Sequence, residues 1–186
     1  MRRIVNNVIS VIYSFIKFSI IKVFNAKNFE FDMVERFSPN VVTEFNKGSS
    51  VHIGKQVRVH SGTKIKVRSG ARLFIGDNVK MNYNCIIACH EKISIGEGTE
   101  FGPSVYLYDH DHDFRVGLKK DKYKTGAISI GKDCWLGANT IILRGTTIGD
   151  NCVIGAGCVV NGNIPNNSVL VQKKQNTVID VCRRGL

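Results

Sequence analysis

Asp109, His110, Asp111, His112 and Asp113 stand in one uninterrupted run, with Tyr108 before it and Phe114 after it. Two chemistries suit such a run. An imidazole has an ordinary pKa of about 6.5, so it can take a proton from a substrate near neutral pH. A carboxylate beside it, Asp109 or Asp111, or a backbone carbonyl could orient its ring, and the sequence leaves these three open. The other chemistry is metal binding, for which the ligand types are suitable. In extended backbone, however, His110 and His112 share one face and the aspartates take the other. A single ion could not easily collect all five, and no metal is expected. The bland reading is a histidine on a solvated loop. Position in the chain decides between them.

That position is a break in a repeat. From Ile130 the sequence falls into sixes, Ile130, Leu136, Ile142, Ile148, Ile154 and Val160, with Gly131, Gly137, Gly149 and Gly155 each directly after an aliphatic residue. Four residues after each aliphatic comes Cys134, Thr140, Thr146, Cys152 or Cys158, and then the larger Ile164. Neither a helix nor an alternating strand has this period. One inward aliphatic and one small corner residue per six suit a short strand and a tight bend, three times per turn of a triangular prism. The pattern extends back through Ile95, Phe101 and Leu107, through Ile75, Met81 and Ile87, and through Ile53, Val59 and Ile65. An all-β parallel β-helix of about five coils is expected. The repeat stops after Leu107 and resumes at Ile130, so a loop over residues 109–127 is extruded there and carries His110 and His112.

The run Ile130-Gly-Lys-Asp-Cys-Trp-Leu-Gly-Ala-Asn, followed by Gly145-Thr-Thr-Ile-Gly-Asp-Asn-Cys-Val-Ile-Gly-Ala-Gly-Cys-Val-Val, resembles the hexapeptide-repeat acyltransferases. Within that superfamily it is most similar to the sugar O-acetyltransferases that modify galactosides, maltose, capsule and lipopolysaccharide. The resemblance covers roughly residues 50 to 170 and implies a left-handed coil, acetyl-CoA as acyl donor and a homotrimer with its sites between subunits. It implies that His110 is the general base, with His112 two residues on as the alternative. Asn84, or Asn82, would contact the acceptor. Trp135 would lie near the acceptor or the pantetheine channel. Where the family often has an aspartate after that asparagine, this chain has Cys89 and His90. Ile164-Pro-Asn-Asn-Ser-Val-Leu-Val is familiar, but the family's following glycine-proline segment is replaced by Gln172-Lys-Lys-Gln-Asn. Lys173 and Lys174 would meet the coenzyme phosphates as point charges, as could Lys119, Lys120, Lys122 and Lys124. An N-acetyltransferase of amino-sugar nucleotides would use the same fold. A carbonic anhydrase of this architecture would need three zinc-binding histidines on adjacent coils, and His52, His60, His90, His110 and His112 lack that spacing. A non-catalytic scaffold is the remaining class.

Ahead of the repeat, Arg3, Asn7, Ser10, Ser14 and Lys17 recur at helical spacing, opposite Val5, Val8, Ile12, Phe15 and Ile16. An amphipathic helix over residues 1–24 is expected. Lys17 interrupts its apolar run, so it does not read as a clean membrane span. It would pack on a neighbouring subunit or lie on the inner leaflet, with Arg2, Arg3, Lys17 and Lys22 near anionic headgroups. The chain then divides into residues 1–36, helix and linker; 37–171, the β-helix; and 172–186, a tail. The net charge of +11 suits a polyanionic partner. Nucleic acid is not expected, since no zinc-finger spacing or RNA-binding aromatic box is present. The six cysteines form no CxxC pair, three sit at buried corner positions, and no convincing secretory signal precedes them. Free thiols and a cytoplasmic location are expected.

Overall fold

The structure, a computed structural model, describes residues 2–25, 27–32, 34–114 and 122–173. Three parallel sheets of seven, seven and six strands form the walls of a prism. Successive strands enter different walls, so Lys92–Ile95 lies in the first, Glu100–Phe101 in the second and Tyr106–Tyr108 in the third. Ile128–Ile130 then returns to the first wall beside Lys92–Ile95. The aliphatic sixes become columns inside the prism: Ile87, Leu107 and Ile142 lie in register, as do Met81, Phe101 and Leu136. All of them are buried.

The corners explain the other half of the repeat. Cys134, Thr140, Thr146, Cys152 and Cys158 are buried where the wall bends. The threonine hydroxyls there donate to backbone carbonyls, Thr140 to Gly155 at 3.2 Å and Thr146 to Leu143 at 2.6 Å. Asn78, Asn84, Asn139, Asn151 and Asn167 take positive φ at the bends, the left-handed conformation that asparagine tolerates best among residues with a Cβ. The glycine after the aliphatic has a different reason. A Cβ on Gly137 would lie 2.6 Å from the backbone nitrogen of Ala156 in the next coil.

Parallel pairing begins at Phe29–Phe31, against Val51 and Ile53, and ends at Val169–Leu170. The solenoid therefore has more turns than the aliphatic sixes reveal, because in its first coil Phe31, Phe37 and Thr43 hold the positions that Ile53, Val59 and Ile65 hold in the next.

A helix, Arg2–Phe24, closes the start of the prism. Its Phe18 is wholly buried, edge-on to Phe29, Phe31 and Phe37 at 5.6, 5.6 and 4.8 Å. Ser14 Oγ accepts the Phe37 N–H at 2.8 Å, and Lys17 Nζ donates to the Val41 carbonyl at 3.0 Å. A solenoid needs such a cover because its end coil would otherwise leave the core open. The polar stripe is thus turned toward the protein. Val5, Val8, Ile12, Phe15 and Ile16 are exposed instead. By length and composition alone, Ile4–Phe24 is long and apolar enough to cross a membrane.

Candidate active site

The strand Tyr106–Tyr108 delivers the chain to the corner between the third and first walls, where Asp109 stands in the place that Val67 and Cys89 hold in the two preceding coils. Its carboxylate is wholly buried and accepts three backbone N–H groups of the preceding coil. Oδ1 takes that of His90 at 2.8 Å, and Oδ2 takes those of Glu91 and Lys92 at 2.8 and 3.0 Å. Three such bonds satisfy a buried charge that would otherwise be costly. Oδ1 also lies 3.3 Å from His110 Nδ1.

His110–His112 forms a short antiparallel pair with Tyr123–Thr125, placing His110 opposite Thr125 and His112 opposite Tyr123. The extruded segment is therefore anchored at its base. Gly126 donates its N–H to the Asp109 carbonyl at 2.9 Å, and Arg144 Nε meets Asp111 Oδ2 at 2.7 Å. Lys124 pairs with Asp113 at 3.1 Å. Of the two candidate carboxylates, Asp109 faces the His110 ring and Asp111 is turned to Arg144.

The His110 ring is stacked on His90, centroids 3.5 Å apart and planes 16° apart. Tyr123 stands edge-on to both, 5.3 Å from His110 and 4.6 Å from His90. Burial holds the His90 pKa down to about 4, helped by the positive charges that His110, Arg68 and His112 can carry and opposed by Asp109. His90 is then neutral near pH 7, a flat support that adds no charge against the neighbouring ring. The His110 side chain is 15% exposed. In the neutral ring with its Nδ1–H donated to Asp109, the lone pair is on Nε2. His112 is exposed and only rests against Tyr123, 4.9 Å between centroids. Tyr123 had no signal in the sequence, because it reaches the site through a strand pairing inside a lysine-rich stretch. His90 was noted only as a departure from the family pattern.

The other expected site residues lie elsewhere on the same chain. Asn82 and Asn84 are at the corner between the second and third walls. The Asn82 side-chain oxygen accepts the Tyr83 N–H at 2.9 Å, and Asn84 sits in the turn at φ 60° with its amide over Gly62. Trp135 is on the second wall between Glu100 and Val153, 59% exposed. Lys122 and Lys124 belong to the base of the extruded segment, and Lys173 follows the last strand. Lys119, Lys120, Lys174 and Cys182, and the side chains of Arg2 and Arg3, lie outside the described residues. One chain thus does not bring His110 together with Asn82, Asn84 or Trp135. Among the described residues, no group of three or more His, Cys, Asp or Glu is placed to hold a metal ion.

Residues 127–161 match the family described as the hexapeptide repeat of succinyl-transferase. The chain is 35% identical over 108 residues to a putative lipopolysaccharide biosynthesis O-acetyl transferase of Escherichia coli (strain K12), covering 53% of this chain and 55% of that protein. It is 37% identical over 98 residues to the galactoside O-acetyltransferase of the same strain, covering 52% of this chain and 48% of that one. Among solved structures, a maltose O-acetyltransferase from Clostridium difficile 630 superposes with a TM-score of 0.50 at 27% identity, over 77% of this chain and 61% of that one. An N-acyltransferase from Bacillus cereus, in complex with dTDP-4-amino-4,6-dideoxyglucose and coenzyme A, shares the fold, with a TM-score of 0.66 at 16% identity over 80% and 82%. The chain spans about half the length of the curated relatives it matches. The coil, its six-residue repeat and these likenesses define a hexapeptide-repeat protein. Residues 127–161 carry that repeat, and over about half of its length the chain is similar to these O-acetyltransferases.

Proposed function

We propose that this protein transfers an acetyl group from acetyl-CoA to a hydroxyl of a sugar in a cell-surface polysaccharide or its precursor. The observation that carries the reading is His110, held through Nδ1 by a buried carboxylate and itself partly exposed, at the corner where the repeat is extruded. Nε2 takes the hydroxyl proton as the sugar oxygen attacks the thioester carbonyl. When the tetrahedral adduct collapses, the C–S bond breaks, the imidazolium returns its proton to the departing thiolate, and ester and free coenzyme A result. Asp109 stabilises the imidazolium while it lasts, and a backbone N–H would hold the oxyanion.

Asn84 or Asn82 and Trp135 complete the site from a neighbouring subunit of a homotrimer. This is supported by their separation from His110 within one chain and by the thinness of a prism wall, which favours a groove between prisms. Lys173 and Lys174, with the lysines of residues 119–124, would meet the coenzyme phosphates. We further propose a cytoplasmic location, with the helix face of Val8, Ile12, Phe15 and Ile16 against the inner leaflet, supported by its exposure.

The test is incubation with acetyl-CoA and a screen of glycosides, capsule fragments and amino-sugar nucleotides, reading free coenzyme A with a thiol reagent. Release with a hydroxyl acceptor is expected. Release only with the amino sugars would make the protein an N-acetyltransferase, and no release with any acceptor would make it a scaffold.

A further inference from the structure

The outward residues of the second wall form a column, Arg36, Arg58, Lys80 and Glu100, one coil above another. Lys80 is neutralised by Glu100 at 2.6 Å. Arg36 and Arg58, a strand spacing of about 4.8 Å apart along the wall, have no carboxylate partner among the described residues. Arg58 Nε is buried and has no hydrogen-bond partner, an arrangement that native proteins seldom leave without a use. The two guanidiniums line a cleft of about 680 Å³ between this wall and the N-terminal helix. Its other polar groups include Ser38, Ser61 and Asn82 on the wall and Asn7 and Ser10 from the inward stripe of the helix.

Two adjacent cations under a roof of hydroxyls and amides repel each other unless an anion joins them. Guanidinium forks bind phosphoryl oxygens in paired hydrogen bonds, and the hydroxyls and amides around them match a sugar. We propose that this cleft binds a phosphorylated saccharide, its mono- or diphosphate on Arg36 and Arg58. Treating that saccharide as the acetyl acceptor rests on the transferase reading above; the phosphate site itself does not. The phosphate could be carried by a soluble sugar phosphate or by a lipid.

Calorimetric titration of the full-length protein, without acetyl-CoA, tests this. The probes are glucose 1-phosphate, glucose, inorganic pyrophosphate, and phosphatidylcholine vesicles with and without a polyprenyl phosphate. Binding of a phosphate compound but not of glucose is expected, and about tenfold or greater weakening in both Arg36→Gln and Arg58→Gln. Preference for glucose 1-phosphate or for the vesicles identifies the source. Both variants should melt at or above the native temperature, since each removes a like-charge contact. Unchanged phosphate affinity in both variants, or equal binding of glucose and glucose 1-phosphate, overturns the proposal. So does a loss of affinity for coenzyme A, titrated separately into the native protein and both variants, which would make the cleft the donor site. If phosphate binding stands but no saccharide releases coenzyme A, the transferase reading fails and the cleft remains.

Discussion

At the scale of the residue, Asp109 and His110 act as one unit. His110→Ala should lower turnover by about 100-fold or more with the fold intact, since general-base assistance is typically worth 10² to 10⁴. His112→Ala should be far milder, because no carboxylate among the described residues orients that ring; a reversed order would make His112 the base. The sequence left the orienting group open, since Asp109 and Asp111 are equivalent by spacing, and only the corner separates them. Glu35 is a second buried carboxyl, with one oxygen accepting the Asp32 N–H at 2.8 Å and the other unpartnered. Burial raises its pKa from 4.5 to about 7. Its folded pKa lies above its unfolded one, so its contribution to stability is complete below pH 4.5 and lost as pH rises through about 7. Melting curves of Glu35→Gln should therefore gain most over the native protein at pH 8 and little at pH 4.5. His90 works in the opposite sense: its pKa of about 4 lies below the ordinary 6.5, so its contribution is lost as pH falls from 6.5 toward 4.

At the scale of the element, the aliphatic six was legible because each coil repeats the same inward demand. The first coil was not. Phe31, Phe37 and Thr43 keep the spacing of six and pair with Ile53, Val59 and Ile65, but two aromatics packed on Phe18 of the helix and a threonine stand where an aliphatic residue marks the later coils. The helix was legible by its spacing, but which side faces the protein is decided by tertiary partners such as Phe37 and Val41. The two faces can be tested separately. Phe18→Ala should cost about 3–5 kcal/mol, read by denaturant unfolding, because it empties a closed aromatic cluster. Ile12→Glu together with Ile16→Glu should leave that stability nearly unchanged and reduce recovery with membranes. If recovery holds and oligomers dissociate instead, the exposed face belongs to a neighbouring subunit.

At the scale of the whole molecule, the expected site residues lie on separate faces of one prism. Co-refolding inactive His110→Ala chains with inactive Trp135→Ala chains should restore part of the activity, since some interfaces of a mixed trimer would carry both intact residues. Mixed trimers without activity would place Trp135 in its own chain's site or outside the site altogether. Assembly of this kind was suggested in the sequence only by resemblance, because a repeat specifies how coils stack and is silent about which wall meets another. The buried cysteines have a consequence of their own. Cys85, Cys89, Cys134, Cys152 and Cys158 are distributed along the prism, and burial raises the pKa of the first three. A thiol in that state does not react until its coil opens. Under native conditions, the rate at which a maleimide labels each one measures how often that stretch of wall parts, so these thiols are internal clocks for breathing along the solenoid axis.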